Sequence, residues 1–445
     1  MSDAGRRVGF GEALRFWLKL GFVSFGGPAG QIAIMHTELV QRRRWISERR
    51  FLHALNYCML LPGPEAQQLA TYLGWLLHRS WGGIVAGGLF VLPSLLILVL
   101  LAWAYVALGH LPLVAGLFYG IKPAVIAIVA NAAWRIGSRT LHDALLWVIA
   151  VASFVAIFVF EVPFPAIIAA AALVGVVGGR VAPARFGAGG AVHGPTRVTA
   201  HAAAIIDDDT PPPAHARFRA ARLARVALTG LALWALPIGA LTLAVGWDHA
   251  LTQMGWFFTK AALLTFGGAY AVLPYVYQGA VEHYGWLSAT QMIDGLALGE
   301  TTPGPLIMVV AFVGFVGGYL QAVLGPEARL LGGVVAATLV TWFTFLPSFV
   351  FILAGGPLVE STRDDLRFTA PLTAITAAVV GVIVSLAAFF GAHVLWPGGL
   401  DGRFEWPSAV LAVAAAIALW RFGGNVVPVI AGCALLGLLL QQWPA

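Results

Sequence analysis

Only three of the 26 basic residues in this 445-residue chain are lysines, and all three lie in apolar segments. Lys19 and Lys260 each stand six residues before a Phe-Gly-Gly: Phe25-Gly26-Gly27 and Phe266-Gly267-Gly268. An ionisable side chain in an apolar segment is costly, which makes it a functional candidate by default. A compact ammonium close to bare glycine backbone suits a small dianion as a point-charge partner. Downstream of each pair stands a second helix breaker, Pro62-Gly63-Pro64 and Pro303-Gly304-Pro305. Proline removes a donor and fixes φ, while glycine permits a turn and a close approach. At each break the next helix begins with free N–H groups and the positive end of its dipole. Four such N-termini converging would hold an anion through backbone donors. Gln31, Gln67, Gln68, Thr301, Thr302 and Tyr270 are placed to add neutral hydrogen bonds to oxyanion oxygens. Glu65 and Glu300 flank the two Pro-Gly-Pro motifs and are candidates for a proton-carrying carboxylate, or for a helix cap or lysine partner. Lys122, just before Pro123, is a weaker candidate. The plainer alternatives are lysines snorkelling to an interface and prolines that only kink helices.

The elements that position these residues occur twice. The Phe-Gly-Gly and Pro-Gly-Pro motifs, Lys19 and Lys260, and Trp45-Ile46-Ser47 and Trp286-Leu287-Ser288 all repeat 241 residues on. The offset then drifts to 250 for Gly82-Gly83 and Gly332-Gly333, and to 254 for Leu92-Pro93-Ser94 and Leu346-Pro347-Ser348. Constant register followed by small insertions marks a duplicated domain. The chain is 60% hydrophobic and 10% charged, with a mean hydropathy of +0.85. A soluble domain carries about 25% charged residues, so the fold class is an all-α polytopic membrane protein.

Two segments, 12–40 and 48–78, are each interrupted at the glycine and proline motifs, leaving arms of roughly 20 Å against a hydrocarbon core of about 30 Å. Arg6 and Arg7, then Arg42, Arg43, Arg44, Arg49 and Arg50, then Arg79 flank them, so all three connections are expected inside. Each segment therefore reads as a re-entrant helical hairpin with its motif at the tip. The alternative, a broken but complete span for each, would place the five-arginine loop outside. Four spans follow (82–108, 112–136, 144–160, 163–177), with Arg135, Arg139 and Arg180 at cytoplasmic ends. A polar linker, 180–222, includes Asp207-Asp208-Asp209 and Pro211-Pro212-Pro213 and is expected to lack structure. An extra span at 223–245 would start the second repeat on the opposite face, making the repeats inverted. Hairpins 252–281 and 288–321 and spans 330–354, 369–390, 408–419 and 426–440 complete it, with Arg363, Arg367 and Arg421 inside. The domain reading is thus 1–179, 180–222, 223–246 and 247–445, with the N-terminus cytoplasmic and the C-terminus periplasmic.

Other classes find little support. Cys58 and Cys433 offer no disulfide framework or metal cluster, and no cofactor is expected. The net charge of +6 comes from arginines beside apolar segments, a pattern that sets membrane orientation rather than a nucleic-acid footprint. The N-terminal stretch shows no short apolar core with a small-residue cleavage site. No phosphate loop, GxSxG or HExxH motif signals an enzyme.

Phe25-Gly26-Gly27-Pro28, Leu60-Leu61-Pro62-Gly63-Pro64 with Gln67, and Glu300-Thr301-Thr302-Pro303-Gly304-Pro305 together resemble the chromate ion transporter (CHR) family in its long, two-domain form. The second repeat departs from the first in having Ala269 where the first has Pro28. The resemblance covers nearly the whole chain and implies a bacterial inner-membrane exporter of chromate, a tetrahedral dianion that mimics sulfate, driven by an ion or proton gradient. Sulfate transport on the same scaffold stays open, and a homodimer is expected by analogy.

Overall fold

The structure is a computed structural model that describes residues 8–25, 27–186, 204–208, 210–211, 213–361, 369–399, 401–421 and 426–441. Gly26, Arg6, Arg7, Asp209, Pro212, Arg363 and Arg367, all named above, lie outside the described residues. Among those described the regular structure is all helical, apart from one isolated bridge between Ile46 and Ile206.

The first half begins with α1 (Phe10–Val23), α2 (Gly27–His36), which continues as a π-helix over Thr37–Arg42, and α3 (Glu48–Leu60). α4 (Glu65–Leu108) reverses direction at His78 and Arg79, whose φ values are −134° and +59°. Its two limbs run antiparallel in close contact, since a methyl on Gly74 would sit 2.4 Å from the Gly82 carbonyl oxygen. Three helices complete the half: α5 (Pro112–Thr140), α6 (Ala144–Phe158) and α7 (Phe164–Val181). A short α8 (Pro183–Phe186) and α9 (Ala220–Val245) lead to the second half. There α10 (Ala250–Leu264), α11 (Ala269–Tyr277) with a π-helix at Gln278–His283, and α12 (Ala289–Thr301) precede α13 (Val309–Leu320). The chain ends in α14 (Arg329–Ser361), α15 (Thr369–Leu395), α16 (Trp406–Arg421) and α17 (Val426–Gln441).

The local structure repeats as the sequence does. The two π-helices are 241 residues apart, and after each the chain closes the same turn: Trp45 N–H donates to Leu39 O and Trp286 N–H to Ala280 O, both at 2.8 Å. Ser47 and Ser288 then cap the next helix. Each tryptophan meets a phenylalanine edge-on, Phe16–Trp45 at 5.5 Å and Phe257–Trp286 at 5.6 Å.

Contacts place the connections of the first half at one end of the bundle. His78 bonds Val8 O at 2.9 Å, Arg43 pairs with Glu12 at 3.6 Å, and Arg50 of α3 and Tyr72 of α4 meet the same residue, Glu360. The equivalent connections of the second half gather at the other end. Gln321 donates to Gly285 O, and Gly317 lies against Met254 and Trp286. Between the two ends α4 and α14 run antiparallel, with Gly83 against Leu353 and Gly87 against Phe349.

Among the described residues six helices are long and apolar enough to cross a membrane: Glu65–Leu108, Pro112–Thr140, Phe164–Val181, Ala220–Val245, Pro326–Glu360 and Ala370–Leu395. Three expected spans are shorter. α6 has 15 residues, because Glu161 at φ +52° and Pro163 end it, and α16 and α17 have 16 each. The expectation of a structureless linker fails over its described part. Ile206 N–H donates to Trp45 O, Ser47 Oγ to Asp208 Oδ1 at 2.6 Å, and His215 bonds Trp75 O. Burial of its ring lowers the His215 pKa. Asp207 closes the local turn, accepting from the backbone of Ala204 and Asp208.

Candidate functional site

The two Pro-Gly-Pro breaks do not lie apart in their own halves. The Gly63 N–H donates to Thr265 O at 2.7 Å, and the Gly304 N–H donates to Ser24 O at 2.8 Å. Ser24 and Thr265 each directly precede a Phe-Gly-Gly and stand 241 residues apart, as do Gly63 and Gly304. Each break of one half is thus bonded to the other kind of break in the other half, and the exchange is reciprocal.

The long helices join the same exchange. A methyl on Gly304 would sit 2.8 Å from Ser94 Cβ, and one on Gly63 would sit 2.4 Å from Ser348 Oγ. Both glycines hold left-handed backbone, φ +128° at Gly63 and +103° at Gly304, where a side chain is strained. Only glycine meets the conformation and the crowding together. Pro62, Pro64, Pro303 and Pro305 bracket these turns, and Gly27, Gly267 and Gly268 hold positive φ at the other two breaks.

Side chains then bind the crossing. Gln31, 1% exposed, donates its amide to Gly304 O at 2.5 Å and to Ser24 O at 3.3 Å. Both contacts are carbonyls, so the nitrogen must face them and Oε1 is left without a partner among the described residues. Gln68 donates to Pro62 O at 2.8 Å and reaches Ser348 Oγ at 3.4 Å, while Gln67 donates to Thr71 within the limb packing of α4. The hydroxyls of Thr301 and Thr302 donate to backbone oxygens of Leu298 and Gly299. Tyr270 donates its phenol to Glu300, and Arg135 lies within electrostatic reach of both. Glu65 sits at the first turn of α4, half-buried.

The structure therefore ties Gln31 to the Gly304 turn and Gln68 to the Gly63 turn, and it changes the expected chemistry. The N–H groups of Gly63 and Gly304 and the amides of Gln31 and Gln67 are committed to protein carbonyls and hydroxyls. Donors that remain for an anion include first-turn N–H groups of α2, α4 and α11. Lys19 does not join this group. It is exposed on α1 beside Leu18 and Phe22, on the side away from buried Phe16, Trp17 and Leu20. Lys260 is half-exposed, its ammonium 5.9 Å from the Trp256 ring centre. Among the described residues neither lysine forms a salt bridge, whereas Lys122 stands 3.8 Å from Asp294. Phe25 is exposed and Phe266 half-buried. Sequence reasoning missed Ser24, Thr265, Ser94 and Ser348 as parts of this assembly. The signal lay in the repeat, where all four occupy equivalent positions.

The chromate transporter family model matches residues 11–176 and again 252–438. This chain belongs to the chromate transporter family. The family is one of transporters rather than enzymes, and the six long apolar helices fit a multi-pass membrane protein. The chain is 34% identical over 425 residues to a chromate transport protein of Pseudomonas aeruginosa, covering 91% of this chain and 90% of that one. It is 31% identical to a chromate transport protein of Cupriavidus metallidurans, covering 96% and 92%. A probable chromate transport protein of Synechococcus elongatus is 28% identical, covering 93% and 90%. No solved structure matches the chain.

Proposed function

We propose that this member of the chromate transporter family is a secondary active exporter of chromate in the bacterial inner membrane, conferring chromate resistance. In this reading two inverted repeats alternate access to one anion site at their crossing. The observation that carries it is the reciprocal pairing of Gly63 with Thr265 and of Gly304 with Ser24. Irregular backbone at membrane depth persists only where it is buried in protein or lines a polar cavity, and transporters with inverted repeats bind substrate where broken helices meet.

The connections of each half gather at one end, and the arginine-rich end of the first half, with Arg42, Arg43, Arg44 and Arg79, would be cytoplasmic. The hairpins α1–α2 and α3 with the first limb of α4 would then be re-entrant from inside, and those of the second half from outside. Free N–H groups of α2 and α11 would be directed at the dianion's oxygens, while Lys19, which lies outside the crossing, and half-exposed Lys260 would act on it through longer-range attraction. Glu65 and Glu300 would carry the coupling proton, Glu300 being held by Tyr270. A homodimer is part of the proposal, because Arg15 and Lys19 form a cationic row among lipid-facing apolar side chains that needs cover.

Radiolabelled chromate accumulation in everted inner-membrane vesicles tests this, since everted vesicles turn export into uptake. The expected result is uptake abolished by an uncoupler and reduced in Lys19→Ala and Lys260→Ala. Uptake of sulfate with none of chromate would replace the substrate assignment with a sulfate transporter on the same scaffold. Flux that never exceeds equilibrium would replace active export with a passive channel.

A further inference from the structure

Two buried clusters of one composition lie at opposite ends of the bundle, and the transport reading uses neither. At the first end, Glu360 near the end of α14 accepts the Tyr72 phenol at 2.6 Å on Oε1 and faces the Arg50 guanidinium at 3.5 Å on Oε2. At the second end, Asp294 of α12 accepts the Tyr105 phenol at 2.9 Å on Oδ2 and faces the Lys122 ammonium at 3.8 Å on Oδ1. The two carboxylate side chains are 6% and 4% exposed. Such ions are retained only with good partners, and removing one partner leaves a buried charge uncompensated.

Their positions are as informative as their chemistry. Each cluster ties the base of one half's second hairpin to the far end of the other half's long helix. Arg50 and Tyr72 belong to the hairpin of α3 and α4, and Glu360 to α14. Asp294 belongs to the hairpin of α12, and Tyr105 to the second limb of α4. By the offset of 254 that aligns Ser94 with Ser348, Glu360 falls one residue beyond the position equivalent to Tyr105. The pairings therefore sit at equivalent places in the two halves while the carboxylate has changed sides. α3 reaches α14 through three side-chain contacts, Arg50–Glu360, His53–Val359 and Tyr57–Phe351, of which the ion pair is the nearest to the start of α3.

We propose that these clusters are two gates, one at each end, in which a carboxylate stands in for the transported oxyanion. The inference rests on the anion-transport reading. A tetrahedral dianion arriving at either end competes with the carboxylate for Arg50 or Lys122. As the cation changes partner, α3 is freed from α14 at the first end and α12 from α5, which carries Lys122, at the second; the path to the crossing opens, and the cation becomes the entry site of the anion. The phenol of Tyr72 or Tyr105 holds the displaced carboxylate. Both gates are closed in this structure.

Hydrogen exchange of the full chain in lipid nanodiscs, with and without saturating chromate, tests the proposal. Glu360→Gln is expected to raise exchange several-fold in 48–57 and leave 289–296 at the wild-type rate, and Asp294→Asn to do the converse. The undisturbed end serves as the folding control. Tyr72→Phe, which keeps its volume, gives a smaller rise in 48–57 only. In the wild type, chromate raises exchange at one or both bases, and in Glu360→Gln it adds nothing at 48–57. Wild-type rates at 48–57 in both Glu360→Gln and Tyr72→Phe would overturn the gate. A wild type that transports chromate while exchange at both bases ignores it would overturn the exchange of partners and leave the transport reading standing. A wild type that neither binds nor transports chromate would instead remove the transport reading, and with it the oxyanion as the gate's ligand.

Discussion

After Pro62-Gly63-Pro64 the chain carries Glu65, Gln67 and Gln68, whereas the equivalent positions after Pro303-Gly304-Pro305 are Leu306, Met308 and Val309. Before the breaks the order is reversed: Met59, Leu60 and Leu61 in the first half stand where the second has Glu300, Thr301 and Thr302. Gln31, which bridges Ser24 and Gly304, is matched by buried Val272, and Ala29 by Tyr270. The backbone of the crossing is thus duplicated while its polar side chains are divided between the halves. The packing differs too. Helices α10 to α13 of the second half contribute to the main core, whereas α1, α2, α3 and the first limb of α4 form a smaller core with an exposed outer row on α1. Backbone geometry needs both copies to make a reciprocal contact. A single shared anion site with one coupling ion would need each side chain only once.

Changes to the shared backbone should have the largest effects and should be matched across the halves. Gly63→Ala and Gly304→Ala each force a side chain into left-handed backbone at about 1–2 kcal/mol and against a neighbour at a further 1–3 kcal/mol or so. Both should lower the thermal midpoint and cut chromate uptake on the order of 100-fold. A large loss in one with wild-type behaviour in the other would break the equivalence of the two turns.

Changes to the divided side chains should not match. Glu300→Gln and Glu65→Gln are expected to abolish uphill chromate uptake while leaving downhill exchange of chromate across the vesicle membrane. Gln31→Val, which makes the first half resemble the second, removes the bridge between Ser24 O and Gly304 O and should weaken uptake about tenfold, roughly the worth of one net hydrogen bond. Val272→Gln buries an amide at a fully buried position that is apolar in the second half and should cost about 1–3 kcal/mol in thermal unfolding. Equal effects of the Gln31 and Val272 exchanges would argue against the division. The smallest change is expected at Gly268→Ala, where φ is +98° with open space around a methyl, so only about 1–2 kcal/mol of backbone strain enters.

Much of this was legible in the sequence. The offset of 241 gave the equivalence of the turns, the apolar runs gave most helices to within a few residues, and Gly-Gly and Pro-Gly-Pro marked all four breaks. What stayed hidden was the partner of each break. Repeats report which residues are equivalent, and here equivalent residues do not touch. Gly63 touches Thr265, the equivalent of Ser24, through a contact that exists only once the halves are assembled. The lysines drew attention by their rarity, yet Lys19 faces outward because α1 turns Phe16, Trp17 and Leu20 to the core. Asp294 and Glu360 were invisible because single carboxylates in long apolar runs carry no spacing signal. Their phenol and cation partners come from distant helices.

The central claim is that two halves build one anion site at their crossing, and the stoichiometry of radiolabelled chromate binding to purified protein tests it most directly. Ser94 and Ser348 touch the glycines of opposite halves, so Ser94→Ala and Ser348→Ala should each weaken the same single site, with one chromate bound per chain in the wild type and in both variants. Two chromates per chain, each lost with only one of the two substitutions, would show that the halves bind separately and would contradict the account.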